Sequence, residues 1–315
     1  MRTVTPSEVR DAALPMRIAL VILHADASRG GAERYTIDLA GALLADGHDV
    51  HLLASTFGHV PKGASAIPLN ASGLTKLWRY ERFLDSLDQH LAHTEYDVVH
   101  AMLPVRKCDF YHPHAGIAAE SVQSGHLKHD GSVKQRAAQV LNQFNRKRRR
   151  FAEVERALLS NPGAPVLLCL SNYIKDAAQR HYELPQSRLV TLFNGIDTYH
   201  YDPARNAAAG GGIRQCFQLS ADKIIALMVA QDFQRKGLRQ AIEALAQLRD
   251  PRLILLVVGK PDPSPYRALA TKLGIAPQVV FAGPTSSVDD FYRAADFFVL
   301  PTRHDPCSLQ WPAAC

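Results

Sequence analysis

Short apolar runs alternate with stretches of helical spacing along nearly the whole chain. The runs "RIALVILH" (17–24), "DVHLLAS" (49–55), "YDVVHA" (96–101), "VLLCLS" (166–171) and "RLVTLF" (188–193) predict strands. Between the first two, Ile37, Leu39, Ala40, Leu43 and Leu44 recur at helical spacing, which predicts a helix over 32–45 with Gly47 as its stop. After a Gly/Ala-rich stretch, "PARNAAAGGG" (203–212), that reads as a linker, the alternation restarts. "KIIALMVA" (223–230), "RLILLVVG" (252–259), "QVVFAG" (278–283) and "DFFVLP" (296–301) predict strands, separated by helices at 237–249, 264–273 and 287–294. Strands that are apolar throughout, each followed by a helix, belong to parallel sheets covered on both faces.

The expectation is therefore an α/β chain of two doubly wound, Rossmann-like domains. Residues 1–15 form a polar extension, 16–198 a first domain and 199–315 a second. Ligands of such folds bind at the carboxyl ends of the strands, here expected at a cleft between the domains.

Composition narrows the function classes. At 315 residues there is room for two cores, and 47% hydrophobic with 21% charged residues excludes a disordered chain. Cys108, Cys169, Cys216, Cys307 and Cys315 lack CxxC or Cys/His spacing, so they read as reduced thiols of a cytoplasmic protein and not as a zinc site. No apolar run reaches the ~18 residues of a membrane span, and the N-terminus has no apolar signal core. A net charge of +6 favours anionic ligands or surfaces.

Three loops that follow strands carry candidate chemistry. "HADASRGGAER" places Gly30 and Gly31 where a helix opens, and free amides beside glycine favour a phosphate. "DFQRKGL" places Arg235 and Lys236 at a second helix start, the wrong end of the dipole for a cation unless an anion binds there. "TRHDPCS" offers Asp305 to sugar hydroxyls. The plain alternatives are a tight turn, a solvated charge pair and a helix N-cap.

The stretches "RGGAERYTIDLAGALLADGHDVHLL", "SNYIKDAAQRHY…RLVTLFNGID", "DFQRKGLRQAIEAL", "LLVVGK" and "AADFFVLPTRHDPCSL" resemble, in order and spacing, the retaining GT-B glycosyltransferases of family 4, from residue 16 to about 309. "YDVVHAMLPVRKCDFYHPHAG" and the basic helix near 146–156 look most like the lipopolysaccharide-core glucosyltransferases that act on heptose. The resemblance implies a sugar-nucleotide donor, most often UDP-glucose. Its diphosphate would meet Gly30, Gly31, Arg235 and Lys236, and its base the loops around Gly259, Lys260 and Gly283. Gln231 stands where many members carry an arginine. Asp305 would touch the donor sugar, while Asp109 and His114 are candidates for acceptor contact or oxocarbenium support. Transfer with retention is implied, with the leaving phosphate taking the acceptor proton. The sequence holds no Asp-x-Asp pair, so no metal or other cofactor is expected.

Residues 128–150 hold Lys128, Lys134, Arg136, Arg146, Lys147, Arg148, Arg149 and Arg150 against one acid, Asp130. Leu141, Phe144, Phe151, Val154 and Leu158 make one helical stripe, with Lys147 and Arg148 at its margins. Arg146 to Arg150 thus suit an anionic membrane surface or phosphates on a lipid-linked saccharide acceptor. Nucleic acid is disfavoured, because no aromatic platform interleaves the charges. The expected localisation is cytoplasmic and peripheral on the inner face of the membrane. Other expectations stay open: a GDP-mannose-dependent mannosyltransferase, or a non-catalytic remnant that only binds.

The resemblance stops between Leu309 and Gln310. In the family a glutamate that holds the ribose follows the acidic loop residue by eight positions, and here that place is Ala313. Pro312 would also break the expected helix. A truncated or frameshifted product with an incomplete second domain is the expectation.

Overall fold

The computed structural model describes residues 14–124, 146–195, 207–285 and 287–302. They form two compact units, the first from residues 14–122 and 146–192, the second from Phe193 onward.

The first unit contains strands β1 (Arg17–Val21), β2 (His24–Ala25), β3 (Asp49–Ala54), β4 (Thr56–Phe57), β5 (Ser65–Pro68), β6 (Val98–Ala101), β7 (Phe110–Tyr111), β8 (Val166–Cys169) and β9 (Leu189–Thr191). Its helices are α1 (Gly31–Ala45), α2 (Lys76–His93), α3 (Ala118–Ser124), α4 (Arg146–Leu159) and α5 (Asn172–His181). Among the described residues seven strands form one parallel sheet in the order β5-β3-β1-β6-β7-β8-β9. Strand order turns around between β1 and β6, which opens a crevice at their carboxyl ends.

Residues of β1 alternate between two cores. Ile18 and Leu20 pack with Ile37 and Ala40 of α1 on one face. Ala19 and Val21 join Tyr80, Phe83, Leu84 and Leu87 of α2 and Val154 and Leu158 of α4 on the other. Helix α2 starts at the Thr75 cap, whose hydroxyl accepts from the Trp78 amide. Its buried aromatic and leucine side chains then hold it, each contributing about 1.5–3 kcal/mol.

The second unit holds β10 (Ile224–Val229), β11 (Leu253–Val258), β12 (Val279–Gly283) and β13 (Phe297–Phe298), with helices α6 (Ala207–Cys216), α7 (Leu238–Leu248), α8 (Ser264–Lys272) and α9 (Asp289–Ala294). The sheet is parallel in the order β12-β11-β10-β13, so its turning point lies between β10 and β13. Again one strand feeds two cores. Ala226 and Met228 meet Leu238, Ile242 and Leu245 of α7, while Ile225, Leu227 and Val229 meet Phe291 of α9.

The parallel, doubly wound architecture expected from the apolar pattern is present in both units. One expectation is corrected: residues 207–212 of the supposed linker form the start of helix α6. Alanine favours helix strongly enough to carry the glycines, and Ile213 and Phe217 add apolar contact with the core beneath α9. Cys108 and Cys169 are buried free thiols and Cys216 is an exposed one. No helix among the described residues is long and apolar enough to cross a membrane.

Candidate functional site

In the second unit, the loops at the carboxyl edge of the sheet are drawn together by glycine. Gly237 has φ 81° and begins α7 without any side-chain cap. A Cβ there would overlap the Pro301 carbonyl in the loop after β13. Thr302 Oγ1 donates to the Arg235 carbonyl at 3.1 Å and ties the same two loops. Gly259, after β11, lies so close to the Ala230 carbonyl and the Phe233 ring that it too admits no Cβ. Its amide donates to the Gly283 carbonyl at 3.0 Å, joining the two loops expected to face a nucleotide base. Lys260 next to it is exposed.

Lys236 stands in this frame with only 6% of its surface exposed. Buried cations are rare because desolvation disfavours charge. This one sits at an uncapped helix N-terminus, where the helix dipole adds to the cost. The arrangement favours an anion that both the ammonium and the first-turn amides of α7 would meet. Arg235 differs from it: the side chain is exposed and lies 3.8 Å from Asp232, whose carboxylate also accepts the Arg235 amide. Asp305 lies outside the described residues, three positions beyond Thr302.

In the first unit, Gly30 precedes α1 in extended backbone, again with no side-chain cap, and Gly31 is the first helical residue. The Glu33 carboxylate folds back beside Gly30, so the α1 terminus already has a local counter-charge.

Asp109 is not at the ligand edge. Its carboxylate accepts from the Val99 amide at 2.7 Å, just ahead of β7. Asp97 ahead of β6 does the same to Arg17 at 2.7 Å, and Asp296 ahead of β13 to Ile225 at 2.6 Å. Three aspartates thus cap neighbouring strands at the amino edges of the sheets. The expectation that Asp109 contacts an acceptor is corrected on this ground: its lone pairs serve the sheet, at the wrong end of the strand.

His114 belongs to a larger group that periodicity did not reveal. His100 lies one residue before the end of β6, His112 follows β7, and His114 lies two residues on. The His100 and His112 rings stack at 5.4 Å, and His112 and His114 lie 4.3 Å apart. Tyr35 of α1 closes against both of the latter, at 5.2 and 4.5 Å. His112 is wholly buried. Among the described residues, neither of its ring nitrogens has a hydrogen-bond partner, nor has Nε2 of His100 or of His114. Burial pushes His100 down to about 4, and burial with neighbouring imidazoles pushes His112 to about 2 and His114 to about 3. The stack is therefore neutral near pH 7. Unsatisfied buried nitrogens cost about 1–3 kcal/mol each, and hydroxyl groups able both to donate and to accept would satisfy them. The sequence signal was available: "VVHA" and "FYHPH" put histidines at the carboxyl ends of two adjacent strands, at the point where strand order turns.

The basic helix α4 divides in use. Arg150 Nε donates to Glu81 at 2.5 Å and its guanidinium reaches Glu153 at 3.4 Å. Arg150 thereby ties α4 to α2. Lys147 instead lies over the Phe151 ring at 5.0 Å, and Arg146 and Arg149 are exposed. Glu155, on the buried side, accepts from the hydroxyls of Tyr111 (2.7 Å) and Tyr182 (2.8 Å) and from the amides of Ala118 and Ala119 at the start of α3. Burial raises its pKa above the usual carboxylate range.

Comparison with known proteins decides the family. The model of "Glycosyltransferase Family 4" matches residues 29–200, and that of "Glycosyl transferases group 1" matches residues 213–310. The chain belongs to the family 4, group 1 glycosyltransferases. It is similar to the lipopolysaccharide glucosyltransferase WaaG of Escherichia coli (strain K12), with 26% identity over 286 residues, 89% of this chain and 73% of that protein. A crystal structure of WaaG shares the fold at TM-score 0.78 and 24% identity, over 94% of this chain and 78% of that one. Anabaena HepE, solved in complex with UDP-glucose, shares it at TM-score 0.65 and 18% identity, over 95% and 78% of the two chains. The GT-B fold expected from the motifs is thereby shown.

Proposed function

We propose that this glycosyltransferase transfers a hexose, glucose from UDP-glucose, with retention onto a membrane-associated saccharide of the lipopolysaccharide-core type. The observation that carries the reading is the buried Lys236 at the uncapped start of α7, where β10 and β13 turn away from each other. Departure of a diphosphate is the demanding part of glycosyl transfer. A preorganised ammonium and helix amides aimed at the developing charge stabilise that departure without proton bookkeeping. In the proposed step the bond from the anomeric carbon to the phosphate oxygen breaks, and the acceptor oxygen bonds that carbon on the same face. The acceptor proton passes to the leaving phosphate oxygen. No metal is needed for this sequence. The neutral histidine stack is suited to hold sugar hydroxyls, and Asp305 remains the expected donor-sugar contact. The exposed cations of α4 would keep the protein at an anionic membrane face.

Incubation with labelled UDP-glucose, UDP-galactose and GDP-mannose, with and without a heptose-bearing core saccharide, tests the proposal. Glucose transfer with an α-configured product is the expected result. It should fall by about 100-fold in Lys236→Met, a loss of one charge contact to the transition state worth about 3 kcal/mol. Preference for GDP-mannose would replace the donor assignment. Nucleotide binding with neither transfer nor donor hydrolysis would overturn the catalytic reading.

A further inference from the structure

The start of α2 holds two apolar side chains in water. Leu74 is 90% exposed, more than any other large hydrophobic side chain among the described residues, and Trp78 is 56% exposed. Leu74 stands directly before Thr75, the N-cap of α2. An apolar residue in that place commonly packs on an apolar partner in the first helical turns. Here the partner position is Arg79, and Leu74 stays in solvent.

The loop that presents them is well bonded. It follows β5, at the carboxyl edge of the first sheet. The Asn70 amide donates to Ser86 Oγ at 3.1 Å, and the Ser72 amide to Asn70 Oδ1 at 2.9 Å. Arg79 Nε donates to the Gly73 carbonyl at 3.1 Å, and the Trp78 amide to Thr75 Oγ1 at 3.1 Å. Gly73 lies so close that a Cβ there would stand 3.2 Å from the Trp78 Cβ. The residue before Leu74 therefore packs on Trp78, and the two exposed side chains share one patch. A loop with these bonds does not collapse to bury them.

The surroundings decide the occupant. Exposed Lys76 and Arg79 flank the patch, and the first turn of α2 contains no acid. Further along the helix, Glu81, Asp85 and Asp88 pair with Arg106, and Glu81 also with Arg150. That last pair and the Tyr80–Phe151 stack at 4.1 Å bring α4, with exposed Arg146 and Arg149, against α2. Two apolar side chains are far too little for the core of a stable protein interface, which buries about 1,200–2,000 Å² in total. They suit a lipid surface, where each inserted side chain acts alone. Tryptophan settles at the boundary of headgroup and acyl chain, and basic residues beside it meet anionic headgroups.

We propose that Leu74 and Trp78 insert into the headgroup layer of an anionic membrane, with Lys76 and Arg79 against lipid phosphates. The proposal rests on the reading of a membrane-associated acceptor and names the segment that enters the lipid. It gives α2 the insertion and leaves α4 a purely electrostatic part. Insertion there also turns the ligand-binding edge of the first sheet toward the surface that carries the acceptor.

Tryptophan fluorescence tests it in the full chain. The sequence holds two tryptophans, Trp78 and Trp311, so Trp311→Phe leaves Trp78 as the reporter. Vesicles of equal parts phosphatidylglycerol and brominated phosphatidylcholine should shift its emission to the blue and quench it. Leu74→Ser should weaken vesicle affinity by about tenfold at unchanged melting temperature, since the lost side chain contacts only lipid. Leu248→Ser, which removes a 65% exposed leucine from α7 of the second unit, should bind vesicles as wild type does. Vesicle binding with Trp78 unquenched overturns the insertion and leaves the membrane reading to the cations of α4. Equal vesicle affinity in Leu74→Ser also overturns it. So does self-association in water that Leu74→Ser abolishes while Trp78 stays unquenched, which would assign the patch to a second copy of the chain. Quenching of Trp78 with failed glucose transfer would leave the insertion standing and remove the proposed reaction instead.

Discussion

At Glu155 a buried carboxylate faces four donors: two tyrosine hydroxyls and two amides at the start of α3. Replacing it by leucine would strand them in a dry interior, at about 1–3 kcal/mol for each buried group left unbonded. Glu155→Leu should lose at least about 3 kcal/mol of unfolding free energy by urea titration. Glu155→Gln, which keeps the shape and one acceptor, should lose less. The histidine stack gives a pH signature of known sign. Each ring titrates lower in the folded protein than in the unfolded chain, so the unfolded chain binds more protons below about pH 6.5. Stability is therefore full above that value and falls as pH drops toward the folded values of about 4, 2 and 3. Between pH 6.5 and 5.0 the loss is about 2 kcal/mol for each such histidine. Glu155, shifted upward, works in the opposite direction over the acid part of this range. Urea midpoints at pH 7.5 and 5.0 should differ clearly in wild type and less in His112→Phe.

Among elements, the glycine-drawn loops of the second unit make the sharpest forecast. Gly259→Ala must push the Ala230 carbonyl or the Phe233 ring aside, and Gly237→Ala must do so against Pro301 in a left-handed backbone. Overpacking of this kind costs about 1–3 kcal/mol, and each variant should lower the melting temperature and weaken UDP binding by calorimetry. These two glycines show how far sequence reading reaches. Gly259 was placed correctly in a loop after a strand, because an apolar run ending in glycine is a local signal. That the loop must touch Ala230 could not be read, because Ala230 ends a different strand. The basic helix repeats the lesson. Phe151, Val154 and Leu158 lie on the inward stripe as the periodicity requires. Glu155, also buried, breaks the stripe rule, and only the arrival of Tyr111, Tyr182 and α3 explains it.

For the whole molecule, a net charge of +6 combined with exposed Arg146 and Arg149 predicts binding to vesicles rich in anionic lipid. Each basic residue at the surface contributes about 1 kcal/mol, and salt screens it within a Debye length. Sedimentation with such vesicles should show binding at 50 mM salt and little at 500 mM, and neutralising Arg146 and Arg149 should reduce it at low salt. Unchanged binding in that variant would remove α4 as the contact. The sequence by itself determined the α/β class, the strand-then-helix order of both units, and the family. Those properties live in local periodicity and in short loops whose residues are neighbours along the chain. Only the tertiary structure decided that Asp109 caps a strand, that Arg150 is spent on Glu81, and that three histidines share one buried stack. Each depends on which distant segments the sheet order brings side by side, and strand order is set by packing among many residues, not by any stretch of sequence alone.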